Sequence, residues 1–199
     1  MFVKMNQDIW ARPRFTNCPP TQEVIDHFAS TPWAAAMFQD PTLVPFITES
    51  RRRENNTTGD TMCGKTLATE DTIAAWQSFY KPSNLGNEVI TLMKLGSGIN
   101  GHIDTCHGGF LSVVLDEVIG TVAENERPKN MSTMTAYLNV DYKAPVRTPS
   151  VILVRAWLEK REGRKLWAKG TIEDGNGNVC TKGSALFIVI DPKILAAKI

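Results

Sequence analysis

Residues 110–123, FLSVVLDEVIGTVA, constrain this chain most: they are apolar on nearly every side yet hold two adjacent acids, Asp116 and Glu117. A helix that is hydrophobic all round belongs in an interior, not on a surface. It needs a cover, and the chain supplies one. Residues 133–143, 151–160, 166–173 and 179–190 are each rich in strand formers. The links at 161–164 and 174–178 are short and turn-like, which makes antiparallel hairpins. Residues 88–95 add a strand ahead of the helix. The expected class is α+β: an antiparallel sheet of five to six strands wrapped around one long central helix.

Three zones follow. Residues 1–86, rich in Pro and Thr, read as a helical and irregular N-terminal extension packed on the core; 87–192 form the core domain; 193–199 form a tail. In the extension, residues 21–29 predict a short helix, with Thr21 as N-cap after Pro19 and Pro20 and Glu23 in the first turn. Residues 32–38 predict another. Residues 69–80 predict a third, capped by Thr69, with Glu70 and Asp71 suited to its N-terminus and Ile73, Trp76, Phe79 and Tyr80 at helical spacing. Between them, 51–60 is a polar loop whose Arg51-Arg52-Arg53 run suits either solvent or a nucleotide phosphate.

Composition narrows the function. Lys and Arg number 22 against 21 Asp and Glu, with no basic cluster of the kind nucleic acid requires. No run approaches the roughly 18 apolar residues of a membrane span, and residues 1–8 lack the apolar core of a secretory signal. Cys18, Cys63, Cys106 and Cys180 are widely spaced, with no C-x-x-C pair. That argues against a metal site or a disulfide framework and for reduced thiols in an intracellular, cytoplasmic setting. Ala197-Lys198-Ile199 is similar to the small-basic-aliphatic tripeptide of peroxisomal proteins, which points to the peroxisome as a second location.

The two acids invite chemistry, because a carboxylate in an apolar place is costly unless paired. Asp116 shares a helical face with Gly109, Ser112, Gly120 and Ala123, all small, and is the better placed to see a substrate. Glu117, with larger neighbours in Phe110, Val113 and Val114, is assigned to substrate binding. His107-Gly108-Gly109 opens the helix. Two glycines there leave backbone N–H groups free to donate to a carbonyl oxygen that gains charge, aided by the helix dipole. His107 and Asp116 are nine residues apart, roughly 13 Å along a helix and half a turn round. One chain cannot bring both to one carbonyl, whereas two chains related by a two-fold axis can. Cys106 shares no face with His107 and is set aside as a nucleophile. His27 reads as structural.

The stretch HGGFLSVVLDE at 107–117 resembles the signature of the hotdog-fold thioesterases, in particular the PaaI-type and acyl-CoA thioesterase branch and its fungal members. MTAYLNVDYKAP at 134–145, the Pro32-Trp33 segment and the LGSG turn at 95–98 are similar as well, so the likeness covers most of the chain. The resemblance implies a hotdog fold and hydrolysis of acyl thioesters, acyl-CoA giving free acid and coenzyme A. It implies no metal, and no cofactor beyond the coenzyme A of the substrate. The partners it implies are an acyl-CoA or acyl-carrier thioester and a second copy of the chain, as a homodimer or a homotetramer. It assigns catalysis to Asp116, His107, Gly108 and Thr135: Gly108 N–H polarises the carbonyl, His107 orients the loop or adds a hydrogen bond, Thr135 holds water, and Asp116 of the partner chain is nucleophile or general base. Many relatives carry an Asn about six residues before the His. Here that position is Gly101, and its neighbours Asn100 and His102 are taken as substrate contacts with Gly109. Lys143 and Arg147 are placed against coenzyme A phosphates, with a solvated pair as the alternative reading. Rival functions are release of an acyl or polyketide chain from a carrier protein, a dehydratase or hydratase reaction, and a non-catalytic acyl-binding dimer.

Overall fold

The structure, a computed structural model, describes residues 17–52, 60–82 and 88–193. In chain order the elements are α1 (Gln22–Phe28), α2 (Pro32–Met37), β1 (Val44–Phe46), β2 (Ile73–Lys81), β3 (Glu88–Leu95), β4 (Asn100–His102), β5 (Thr105–Cys106), α3 (Gly108–Glu126), β6 (Ser132–Tyr142), β7 (Ser150–Glu162), β8 (Lys165–Glu173) and β9 (Val179–Ile190). A 3₁₀ turn, Glu49–Arg51, and a π-helical turn, Met62–Thr66, lie between β1 and β2. Seven strands form one antiparallel sheet in the order β1-β2-β3-β7-β8-β9-β6, and β4 pairs with β5 as a separate hairpin.

The helix and its cover are as expected. α3 buries Phe110, Leu111, Val114, Leu115, Val118, Ile119, Val122 and Ala123 against the inner face of the sheet. It approaches the sheet closely at a pair of glycines. Gly170 of β8 and Gly183 of β9 are cross-strand partners. A Cβ on Gly170 would lie 2.9 Å from Ile119 Cγ1, and one on Gly183 would lie 3.0 Å from Ile119 Cδ1. The two glycines make a notch in the sheet that receives Ile119.

The expected helix at 69–80 is a correction. Thr69 to Thr72 form a turn, with Thr72 N donating to Thr69 O at 3.1 Å, and β2 follows, paired with β1 and β3. The sheet therefore has seven strands rather than five or six. The helical spacing misled because both faces of β2 are buried, which erases the period-2 alternation of a half-exposed strand. Trp76 faces the α3 core, while Ala75 and Phe79 face a second cluster built on Phe28 and Ala34 of the N-terminal helices. Those helices form as read: Thr21 Oγ1 accepts from Val24 N, and Pro32 starts α2. Arg51 donates to Cys63 O at 2.8 Å and lies over the Trp76 ring, and Arg52 pairs with Glu49. Arg53 and the Ala197-Lys198-Ile199 tail lie outside the described residues. Among the described residues no helix is long and apolar enough to cross a membrane.

Candidate active site

The site starts at the β4–β5 hairpin, which delivers the chain to the head of α3. Its base is held by Cys106 N to Val146 O and His107 N to Ile99 O, both 2.9 Å, and by Arg147 Nη1 to Thr105 Oγ1 at 3.2 Å. Thr148 Oγ1 donates to Asn100 Oδ1, so that oxygen is engaged by the link before β7. Gly101 is required by close approach: a Cβ there would sit 2.9 Å from His107 Cδ2. His102 is exposed on the same hairpin.

His107 is the N-cap of α3. Its Nδ1 accepts from Gly109 N at 2.9 Å. Two consequences follow from donor counting. Nδ1 is unprotonated, so the neutral ring carries its proton on Nε2 and presents a donor there. The Gly109 N–H is spent inside the chain, which leaves Gly108 N–H, without an acceptor among the described residues, as the free backbone donor at the helix head.

A second anchor was not assigned a role from sequence. Tyr142 Oη donates to Gly108 O at 2.9 Å and lies 2.7 Å from Ser112 Oγ, and its ring packs over Gly108. Thr135 Oγ1, on the same strand, donates to Asp116 Oδ1 at 3.0 Å. Thr135 and Tyr142 are seven positions apart, and strict alternation puts such residues on opposite faces of a strand. A register shift between Thr135 and Tyr137, with Ala136 as the extra residue, brings both to the helix side. No single-residue signal announces that bulge.

Asp116 and Glu117 part company. Asp116 turns to Thr135. Glu117 turns to the N-terminal segment, where Ser50 Oγ donates to Oε1 and Cys63 Sγ donates to Oε2 at 3.7 Å. Burial pushes the Glu117 carboxyl above the ordinary carboxylate range against the pull of the Ser50 bond, and the nearby Asp60 and Asp116 charges push the same way. Burial also pushes the Cys63 thiol up to about 12, with Glu117 adding to it, and the Cys106 thiol to about 12. Neither thiol is an available nucleophile near neutral pH. Among the described residues no three His, Cys, Asp or Glu side chains gather as metal ligands.

Lys143 and Arg147 line one open cleft of about 710 Å³, together with Asp174, Asn178 and Cys180. Lys143 pairs with Asp141 at 2.5 Å and stays half-exposed. The cleft adjoins the hairpin through the Arg147–Thr105 bond.

Residues 104–181 match the family described as the thioesterase superfamily. The stretch includes His107, Gly108, Asp116, Thr135 and Tyr142 and leaves out Asn100, His102, Ser50 and Cys63. The chain is 36% identical over 105 residues to the acyl-coenzyme A thioesterase THEM4 of Rattus norvegicus, covering 52% of this chain and 44% of that one. It is 29% identical over 111 residues to the uncharacterized mitochondrial membrane protein FMP10 of Saccharomyces cerevisiae, covering 55% and 45%. The chain thus spans about half the length of the curated relatives it matches. A solved thioesterase family protein from Silicibacter pomeroyi shares the fold at 18% identity and a TM-score of 0.53, over 66% of this chain and 93% of that one.

Proposed function

We propose that this chain, whose residues 104–181 match the thioesterase superfamily and whose antiparallel sheet around a central helix has the hotdog architecture, hydrolyses acyl thioesters, with acyl-CoA as substrate, at a site completed by two copies of the chain. The observation that carries the reading is the division of labour along α3. The His107 ring and the Gly108 N–H stand at its head, and Asp116, which accepts from Thr135, stands nine residues after His107.

In this reading the thioester carbonyl lies at the head of one α3 and takes hydrogen bonds from Gly108 N–H and His107 Nε2–H. Asp116 of the partner copy removes a proton from a water that its Thr135 helps to place. The hydroxide adds to the carbonyl carbon, and negative charge moves to the oxygen held by those donors. The carbon–sulfur bond then breaks, the electron pair leaves on sulfur, and the proton held by Asp116 passes to the thiolate. In the alternative course Asp116 attacks directly, expels the thiolate and forms a mixed anhydride that water hydrolyses. Neither course draws on a metal or on a cofactor beyond the substrate's coenzyme A. The cleft with Lys143 and Arg147 supports binding of the nucleotide phosphates, or of a carrier's phosphopantetheine.

Pairing of two copies is supported by β6. It is an edge strand of eleven residues, bonded among the described strands to β9 alone, with Met134 at 49%, Tyr137 at 44% and Tyr142 at 51% exposure. Such an edge is a template for another chain.

The test is thiol release from acyl-CoA thioesters of graded length, with wild type beside Asp116→Asn. Turnover that falls at least about a hundredfold in the variant supports the assignment. Equal turnover by both proteins sinks the role of Asp116. Failure on every CoA ester with success on carrier-bound chains moves the substrate to the carrier. Failure on both leaves the dehydratase and acyl-binding readings.

A further inference from the structure

The match to the thioesterase superfamily begins at residue 104, so it leaves unexplained why a half-buried acid of the central helix should bond to the N-terminal segment. We propose that Glu117 is a positioning residue that fastens the Ser50 and Cys63 turns onto the turn of α3 bearing Asp116, and that the fastening opens when Glu117 ionises.

The geometry is a two-point hold. The two oxygens of one carboxyl receive donors from two separate turns, Ser50 in the 3₁₀ turn Glu49–Arg51 and Cys63 in the π-helical turn Met62–Thr66. Arg51 ties those turns to each other by donating to Cys63 O at 2.8 Å. Ser50 and Cys63 are 6% and 4% exposed, so both donors are buried, and Glu117 between them is half-buried. On the helix side Thr121 Oγ1 donates to Glu117 O at 2.9 Å, which fixes the backbone of the same turn. Asp116 is the next residue, so movement of this turn moves the acid that Thr135 holds.

The charges around Glu117 set the direction of the pH response. Cys63 donates to it, the charges of Asp60 and Asp116 are near enough to act on it, Arg51 acts on Cys63 and Glu124 on Asp60, and Glu49 and Arg52 pair with each other beside Ser50. The negative neighbours and the loss of water all favour the uncharged carboxyl, and the two donors do not offset them. Below its raised value the acid is neutral and the hold is intact. As pH rises through that value the carboxylate has to form in a buried, acidic place, and admitting water by letting the turns go relieves the cost.

The measurement is iodoacetamide alkylation of Cys63 in the full chain, read by peptide mass spectrometry as a ratio to Cys106. Both thiols are buried and raised to about 12, but Cys106 does not touch Glu117, so the ratio cancels the general effect of pH on thiols. In wild type the ratio is expected to climb about tenfold along a pH series from acid to pH 9, with its midpoint above the ordinary carboxylate range, because opening exposes a thiol that was inert. It should stay flat in Glu117→Gln, and it should already be high at pH 6 in Ser50→Ala. A flat ratio in wild type, or a Glu117→Gln protein that climbs like wild type, overturns the proposal. The effect on turnover rests on the thioesterase reading above. There the quotient of kcat at pH 9 to kcat at pH 7 should rise in Glu117→Gln relative to wild type. If Cys63 opens as expected while that quotient is the same in both proteins, the positioning role falls. If no thioester is turned over at all while Cys63 behaves as expected, hydrolysis falls and the hold stands.

Discussion

Asp116 and Glu117 are neighbours in sequence, yet the helix points one at the edge strand and the other at the N-terminal turns. Adjacent helical residues are about 100° apart, which is enough to separate a carboxyl that meets Thr135 from one that meets Ser50. The sequence supplied the preference for Asp116 through its small neighbours, but it offered no way to see where Glu117 goes, since Ser50 and Cys63 are 67 and 54 positions away. The same holds for Tyr142, which needs a bulge to reach Gly108. Two expectations belong at this scale. Thr135→Ala should lower turnover about tenfold, a loss of about 1.4 kcal/mol in transition-state stabilisation, while Thr135→Ser retains most of it; a steady-state assay of the two variants decides. Tyr142→Phe removes a donor to Gly108 O and should cost about 1 kcal/mol of stability, read by thermal denaturation as a fall of roughly 2–4 °C.

Among the elements, α3 was legible from its apolar length, and β8 and β9 from strand formers that alternate between buried and partly exposed with clear turns between, so pattern and place agree. Residues 69–80, read as a helix and folded as a turn and β2, show the limit. A strand sandwiched between two clusters has no polar face to mark its period, and its large residues then fall into helical spacing by accident. Nor does the sequence display the notch at Gly170 and Gly183. Each reads as a weak point in a strand, but together they let Ile119 seat and set the distance from α3 to the sheet. Gly170→Ala places a methyl 2.9 Å from Ile119 and 2.8 Å from Arg155 O, where backbone cannot give way. Overpacking of this kind costs about 2 kcal/mol. The thermal midpoint should fall by roughly 4–8 °C, and an unchanged midpoint would show that the helix tolerates a wider stand-off.

For the molecule as a whole, the nine-residue interval between His107 and Asp116 makes a prediction that mutants can settle. His107→Ala and Asp116→Asn should each be inactive alone. Unfolded together and refolded as an equal mixture, half the pairs are mixed, and each mixed pair holds one intact site of two, so about a quarter of wild-type activity should return. No recovery would place each site within a single chain. The outcome bears on β6 in a further way. This strand grips the helix twice, at Asp116 through Thr135 and at Gly108 through Tyr142, and its other side is the open edge. It works as a gauge laid along the helix, with Ala136 setting the spacing of its two marks. Pairing of a second copy along that edge would stiffen the gauge, and turnover per chain should then fall on dilution while the fold persists, which activity and circular dichroism against protein concentration would read.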